Sequence, residues 1–103
     1  MICRAGALTI SELAAVGVGA LLVPFPAAVD DHQTRNADFL VSRGAARLLP
    51  EAALTVASLA AELERLCADR ALLLDMAERA RALARPDATR DLTRACLAAG
   101  GLA

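Results

Sequence analysis

Tryptophan, tyrosine and lysine are absent from this 103-residue chain, and phenylalanine occurs only twice. With aromatic residues at 2% and hydrophobic residues at 57%, a core has to be aliphatic and alanine-rich, while so high an apolar share excludes a disordered chain. All 11 basic residues are arginine and the net charge is -1, so no basic excess directs the chain to nucleic acid. The cysteines Cys3, Cys67 and Cys96 are odd in number and far apart. That spacing argues against a disulfide framework and against a metal-ligand cluster, and it reads as buried or half-buried free thiols in a reducing cytoplasm. A membrane span is also lacking. The uncharged run from Leu13 to Val29 is interrupted by Gly17, Gly19, Pro24 and Pro26 and is shorter than the roughly 20 apolar residues a spanning helix needs. No long basic region precedes it, as one would in a signal peptide. The run reads as a helix end followed by a buried strand, in a chain long enough for one small domain or part of a larger one.

The stretch from Arg4 to Glu12 carries the most chemistry. Gly6 is expected to give a tight turn and a close approach of the backbone to whatever lies above it. A helix is expected just afterwards, with Ile10, Leu13 and Ala14 as its apolar stripe and Gly17 as its end. The first amides of such a helix lack partners within it and carry the positive end of its dipole, which suits a phosphate. Glu12 lies four residues after Leu8 and three after Thr9, one turn further along the same face. A carboxylate set back by a turn repels a phosphate less and can accept hydrogen bonds from a ribose diol. A nucleotide presents diphosphate and ribose in that order.

Met1 to Cys3 reads as a strand, and Ala20 to Val23 as a short buried parallel strand whose far end opens into a site. The loop from Pro24 to Asp31 is expected to be stiff and irregular. A helix follows from about His32 to Ser42, with Ala37, Leu40 and Val41 inward and Gly44 closing it, then a strand from Ala45 to Leu49 ended by Pro50. The second half reads as helical. Thr55 caps a helix whose inward positions are Val56, Leu59, Ala60, Leu63, Leu66 and Cys67. The pattern resumes after Asp69 with Leu73, Met76, Ala77, Ala80, Leu83 and Ala84, while Asp75 and Arg79 pair on the wet face. Arg85, Pro86 and Asp87 break the run, and Asp87 caps a last helix with Leu92, Ala95, Cys96 and Ala99 inward. Alternating strands and helices predict an α/β fold with a parallel sheet, flanking helices and a helical C-terminal half.

A second polar group stands from Asp31 to Asn36. Asp31 suits a helix cap. Gln33 and Asn36 are three apart, on one face of the first turn, and their amides both donate and accept, which suits an uncharged sugar. His32 is the single histidine and invites a general-base role. Asp30 and Asp31, adjacent and without further ligands, do not make a metal site.

Three segments in order, Cys-Arg-Ala-Gly-Ala-Leu-Thr-Ile-Ser-Glu-Leu, then Leu-Val-Pro-Phe-Pro, then Asp-Asp-His-Gln-Thr-Arg-Asn-Ala, closely resemble the C-terminal part of the MurG family of bacterial peptidoglycan glycosyltransferases. The resemblance runs from about Ile2 to the C-terminus. It implies a partial Rossmann-like sheet, the C-terminal domain of the two-domain GT-B arrangement, over residues 1–103, with the acceptor-binding N-terminal domain absent. It implies transfer of N-acetylglucosamine from UDP-GlcNAc to lipid I, giving lipid II, on the cytoplasmic face of the bacterial inner membrane, with peripheral membrane association through the full-length protein. By the same resemblance Leu8 and Thr9 meet the donor diphosphate, Glu12 the ribose hydroxyls, and Gln33 and Asn36 the sugar. Arg4, Gly6, Ala7 and His32 are weaker candidates. No cofactor and no metal are implied, because members of the family bind the diphosphate without a metal held by an Asp-x-Asp motif. The catalytic base is expected in the N-terminal domain and the uracil-binding segment before Met1, so the chain alone is expected to be inactive.

Three departures from the family pattern stand out. Val18-Gly19 replaces a frequent Leu-Pro, which is expected to loosen the entry to the strand; Ala27 replaces a frequent histidine; and Ala5 stands for serine. Two rivals remain open on the residues. One is another UDP-sugar GT-B enzyme or a UDP-GlcNAc epimerase. The other is a non-catalytic, truncated helical interaction module.

Overall fold

The computed structural model describes residues 1–26 and 31–101. Three short strands, β1 (Ile2–Cys3), β2 (Ala20–Leu22) and β3 (Ala46–Leu48), form a parallel sheet in the order β1-β2-β3. The register pairs Ile2 with Leu21 and Cys3 with Leu22 on one side of β2, and Ala20 with Ala46, Leu21 with Arg47 and Leu22 with Leu48 on the other. Side chains alternate along a strand, and here both faces of β2 are covered. Ala20 and Leu22 join one core cluster with Ile10, Leu13, Ala37 and Leu40, whereas Leu21 and Val23 join another with Leu49, Leu66 and Met76. A strand buried on both faces has no polar side to show, which is why this segment reads as an unbroken apolar run.

The helices sort onto the two faces accordingly. On the first lie α1 (Ala7–Val16) and α2 (His32–Val41); on the second lie α3 (Val56–Ala68) and α4 (Arg70–Ala82), after a 3-10 turn at Glu51–Ala53. Met76 belongs to one cluster and Ala80, one turn on, to the other. Thus α4 passes across the edge of the sheet where the strands begin. There a Cβ on Gly19 would stand 2.9 Å from the Met76 Cβ, so the glycine is a point of close helix approach. The edge where the strands end is the one at which open parallel sheets generally take a ligand.

Local signals account for most boundaries. Gly17 and Gly44 end α1 and α2 in the left-handed region, at φ of 77° and 73°, and the Gly17 amide donates to the Leu13 carbonyl. Asp31 caps α2 through the Thr34 amide. Thr55 and Ser58 form a reciprocal capping box on α3, and Asp69 caps α4 through the Leu72 amide. Asp75 and Arg79 pair at 2.8 Å as the spacing predicts.

Several expected features differ. Of the predicted inward stripe of α3, only Leu66 is buried and Leu59 and Leu63 are half-buried, while Val56, Ala60 and Cys67 are exposed; Leu73 of α4 is exposed as well. Three strands about 4.8 Å apart make a surface roughly one helix wide, and two helices share it, so each buries a narrower stripe than its own pattern offers. The last helix, α5 (Ala88–Ala99), buries none of Leu92, Ala95, Cys96 or Ala99, because α1 to α4 already occupy the sheet. Asp87 does not cap it but pairs with Arg90 at 3.1 Å. The projecting helix accounts for a radius of gyration of 16.4 Å, against about 13 Å for a compact chain of this length. The cysteines differ too. Cys3 is half-buried, and that burial pushes its thiol pKa up, opposed by the nearby N-terminal charge, but Cys67 and Cys96 are exposed free thiols.

Candidate functional site

Two segments that follow strand ends are locked together by side chains of α2. Ala5, just past β1, is fully buried. Its amide donates to the Gln33 Oε1 at 3.1 Å, and its carbonyl accepts from the Asn36 Nδ2 at 3.0 Å. The same Gln33 oxygen accepts from the Phe25 amide, past β2, at 2.8 Å. These partners fix which end of each side-chain amide is which: an oxygen that takes two backbone N–H groups cannot be the nitrogen. Among the described residues, the Gln33 Nε2 and the Asn36 Oδ1 have no protein partner. The expected spacing therefore holds, since both amides share a face. That face serves the Ala5 peptide with one atom of each side chain.

Immediately after Ala5 comes the N-terminus of α1. Gly6 is its N-cap at φ -64° and ψ 151°, a conformation open to any residue. The tight turn expected of this glycine is not present. A Cβ there would lie 3.7 Å from the Thr9 Oγ1, an ordinary contact. No side chain caps the helix and no acidic residue stands in its first turn. The amides of Ala7, Leu8 and Thr9 are left with the positive end of the dipole. Leu8 is 78% exposed, Thr9 half-buried, and Glu12 exposed with no ion pair among the described residues.

Arg4 is committed elsewhere. It binds Glu51 Oε1 at 2.7 Å, reaches the Val23 and Pro24 carbonyls at 3.5 and 3.4 Å, and lies 5.4 Å over the Phe25 ring. It thereby ties together the residues after all three strands, with its charge offset by a carboxylate. Both partners are about half-exposed.

An open cavity of about 630 Å³ adjoins these segments, lined in part by Pro24, Asp31, Thr34, Leu48, Pro50 and Glu51. It lies past the ends of β2 and β3, beside the α2 N-terminus. Of its lining, Thr34, Leu48 and Glu51 were not among the residues picked out from sequence. The signal for them was available: Leu48 ends a strand, Glu51 follows it and Thr34 stands in the first turn of a helix, at the edge where parallel sheets take ligands. His32 is exposed at the start of α2. Ala27 and Asp30 lie outside the described residues.

Residues 1–92 match the glycosyltransferase family 28 C-terminal domain. The chain is 59% identical over 99 residues to the UDP-N-acetylglucosamine–N-acetylmuramyl-(pentapeptide) pyrophosphoryl-undecaprenol N-acetylglucosamine transferase of Marinobacter nauticus, covering 96% of this chain and 27% of that protein. It is 60% identical over 97 residues to the transferase of the same name from Azotobacter vinelandii, covering 94% and 27%. Among solved structures, the crystal structure of Acinetobacter baumannii MurG superposes with a TM-score of 0.79 at 47% identity, over 88% of this chain and 27% of that one. The chain thus spans about a quarter of the length of the relatives it matches.

Proposed function

This chain belongs to the glycosyltransferase family 28 C-terminal domain family, and from that membership we propose that it is the donor-binding part of a peptidoglycan N-acetylglucosaminyltransferase. The observation that carries the reading is the union of an uncapped α1 N-terminus with the α2 amides through the Ala5 peptide, at the strand-end edge of the sheet. The Ala7, Leu8 and Thr9 amides take the diphosphate of UDP-GlcNAc. Glu12, an exposed carboxylate one turn further in, takes the ribose hydroxyls. The Gln33 Nε2 donates to a sugar hydroxyl and the Asn36 Oδ1 accepts from one.

The reaction is attack of an acceptor hydroxyl on the anomeric carbon, with inversion, as UDP leaves. Negative charge grows on the diphosphate as that bond breaks, and preorganised helix amides stabilise it without reorientation. The acceptor is lipid I, whose chemistry is that of the pyrophosphoryl-undecaprenol named for the relatives. The acceptor, the base and the contact with the cytoplasmic face of the inner membrane belong to the rest of a longer protein. Among the described residues no helix is long and apolar enough to cross a membrane. Calorimetric titration of the chain with UDP-GlcNAc, UDP and inorganic sulfate tests the reading. The nucleotides are expected to bind more tightly than sulfate, and equal weak binding of all three would reduce the site to a bare anion contact.

A further inference from the structure

We propose that Gln33 and Asn36 are positioning residues for the donor diphosphate, which they do not touch, in addition to any contact they make with the sugar. The inference rests on the donor-site reading above and deepens it. Ala5 is fully buried, so its N–H and C=O cannot turn to water without opening the fold. Both are satisfied by α2 alone, through Gln33 Oε1 and Asn36 Nδ2. The next residue is Gly6, the N-cap of a helix that no side chain caps and whose cap backbone is intrinsically free. The direction in which the first amides of α1 point is therefore set from two sides: by the packing of Ile10, Leu13 and Ala14 behind, and by the Ala5 peptide in front.

Gln33 also holds the Phe25 amide, so one oxygen keeps the loops after β1 and β2 in a single arrangement. Losing it leaves two backbone donors without that acceptor, and the loop relaxes to hydrate the buried one. The phosphate cradle on α1 and the sugar contacts on α2 then form one mechanical unit. A substitution at the sugar end is felt at the phosphates.

Three variants of the full chain test this, read by amide hydrogen exchange and by UDP affinity. UDP lacks the N-acetylglucosamine, so a direct contact with that sugar does not affect its binding. Gln33→Met, which removes the acceptor, is expected to speed exchange at the Ala5 amide, and Gln33→Met and Asn36→Leu, both neutral, are each expected to weaken UDP about tenfold, with the Leu13 amide still protected. Gln33→Glu keeps an acceptor for both N–H groups and is expected to hold the Ala5 amide as slow as in the wild type. Should Asn36→Leu lose protection at Leu13, it has unfolded, and the two Gln33 variants decide. A slow Ala5 amide in Gln33→Met, or a fast one in Gln33→Glu, overturns the clamp. Unchanged UDP affinity with weakened UDP-GlcNAc binding leaves Gln33 and Asn36 as sugar contacts only, so the positioning role fails while the donor reading stands. Absence of UDP binding by the wild type overturns both.

Discussion

Arg47 on β3 and Glu62 on α3 meet in a two-pronged ion pair, with Nε–Oε2 and NH2–Oε1 distances of 2.5 and 2.9 Å. Arg47 is in register with Leu21, whose side chain faces the α3–α4 layer, so the pair fastens that layer to the outer strand beside the cavity. The hydrogen bonds from Arg47 hold the Glu62 carboxyl pKa below its ordinary value, and Glu62 raises that of Arg47. The folded state thus keeps Glu62 charged to a lower pH than the unfolded chain does. Its contribution is present above the unfolded carboxylate range and disappears as pH falls through the lowered folded value. Glu62→Gln is expected to cost about 1 kcal/mol near neutrality, since the partners are only partly shielded. In urea denaturation the gap between wild type and variant is expected to close in acid, and a gap independent of pH would separate the cost from the ion pair.

Gly17→Ala tests the join between α1 and β2. The φ of 77° disfavours an L side chain, and the new Cβ would meet the Arg81 Cβ at 3.1 Å. A loss of roughly 1–2 kcal/mol is expected from the left-handed conformation alone, measured by thermal or urea unfolding. Unchanged stability would mean that the helix end rearranges without strain.

Removing residues 87–103 is expected to leave the unfolding midpoint within a few degrees of the wild type, because α5 buries none of its side chains. Leu92, 67% exposed, and Leu97 instead give the helix an apolar face toward solvent. Sedimentation is expected to show the whole chain associating more than the shortened one. A large drop in stability on truncation would place α5 in the fold's core.

Glu12→Ala is expected to weaken UDP by about 1–3 kcal/mol, the worth of charged hydrogen bonds to hydroxyls. Comparison with 2′-deoxy-UDP isolates one of those bonds. Equal affinity of the wild type for both nucleotides would remove the 2′-hydroxyl from the contact.

What could be read from sequence follows from which forces are local. The β2 run was legible because burial on both faces leaves it continuously apolar, and the end of α1, the two ends of α2 and the start of α3 were legible because Gly17, Asp31, Gly44 and Thr55 act within a few residues of themselves. The stripe on α5 shows only that a helix has an apolar side, not that a neighbour covers it. Gln33 and Asn36 were found by spacing, but spacing says that two amides share a face and not what the face meets. Their hold on Ala5 depends on the burial of a peptide 28 residues earlier, at 3.1 Å from Gln33, and no local pattern encodes it. Arg4 was visible as a charge near the turn, whereas its partner Glu51 lies 47 residues away beyond another strand.

The account stands on donor diphosphate binding at the α1 N-terminus, and the most direct measurement is a titration of the isotope-labelled chain with UDP-GlcNAc followed at the backbone amides. The account predicts that the Ala7, Leu8 and Thr9 amides shift together and saturate with a single dissociation constant, with the Glu12 amide following. Shifts confined to the cavity residues Thr34, Leu48 and Glu51, with the α1 amides unmoved, would contradict it.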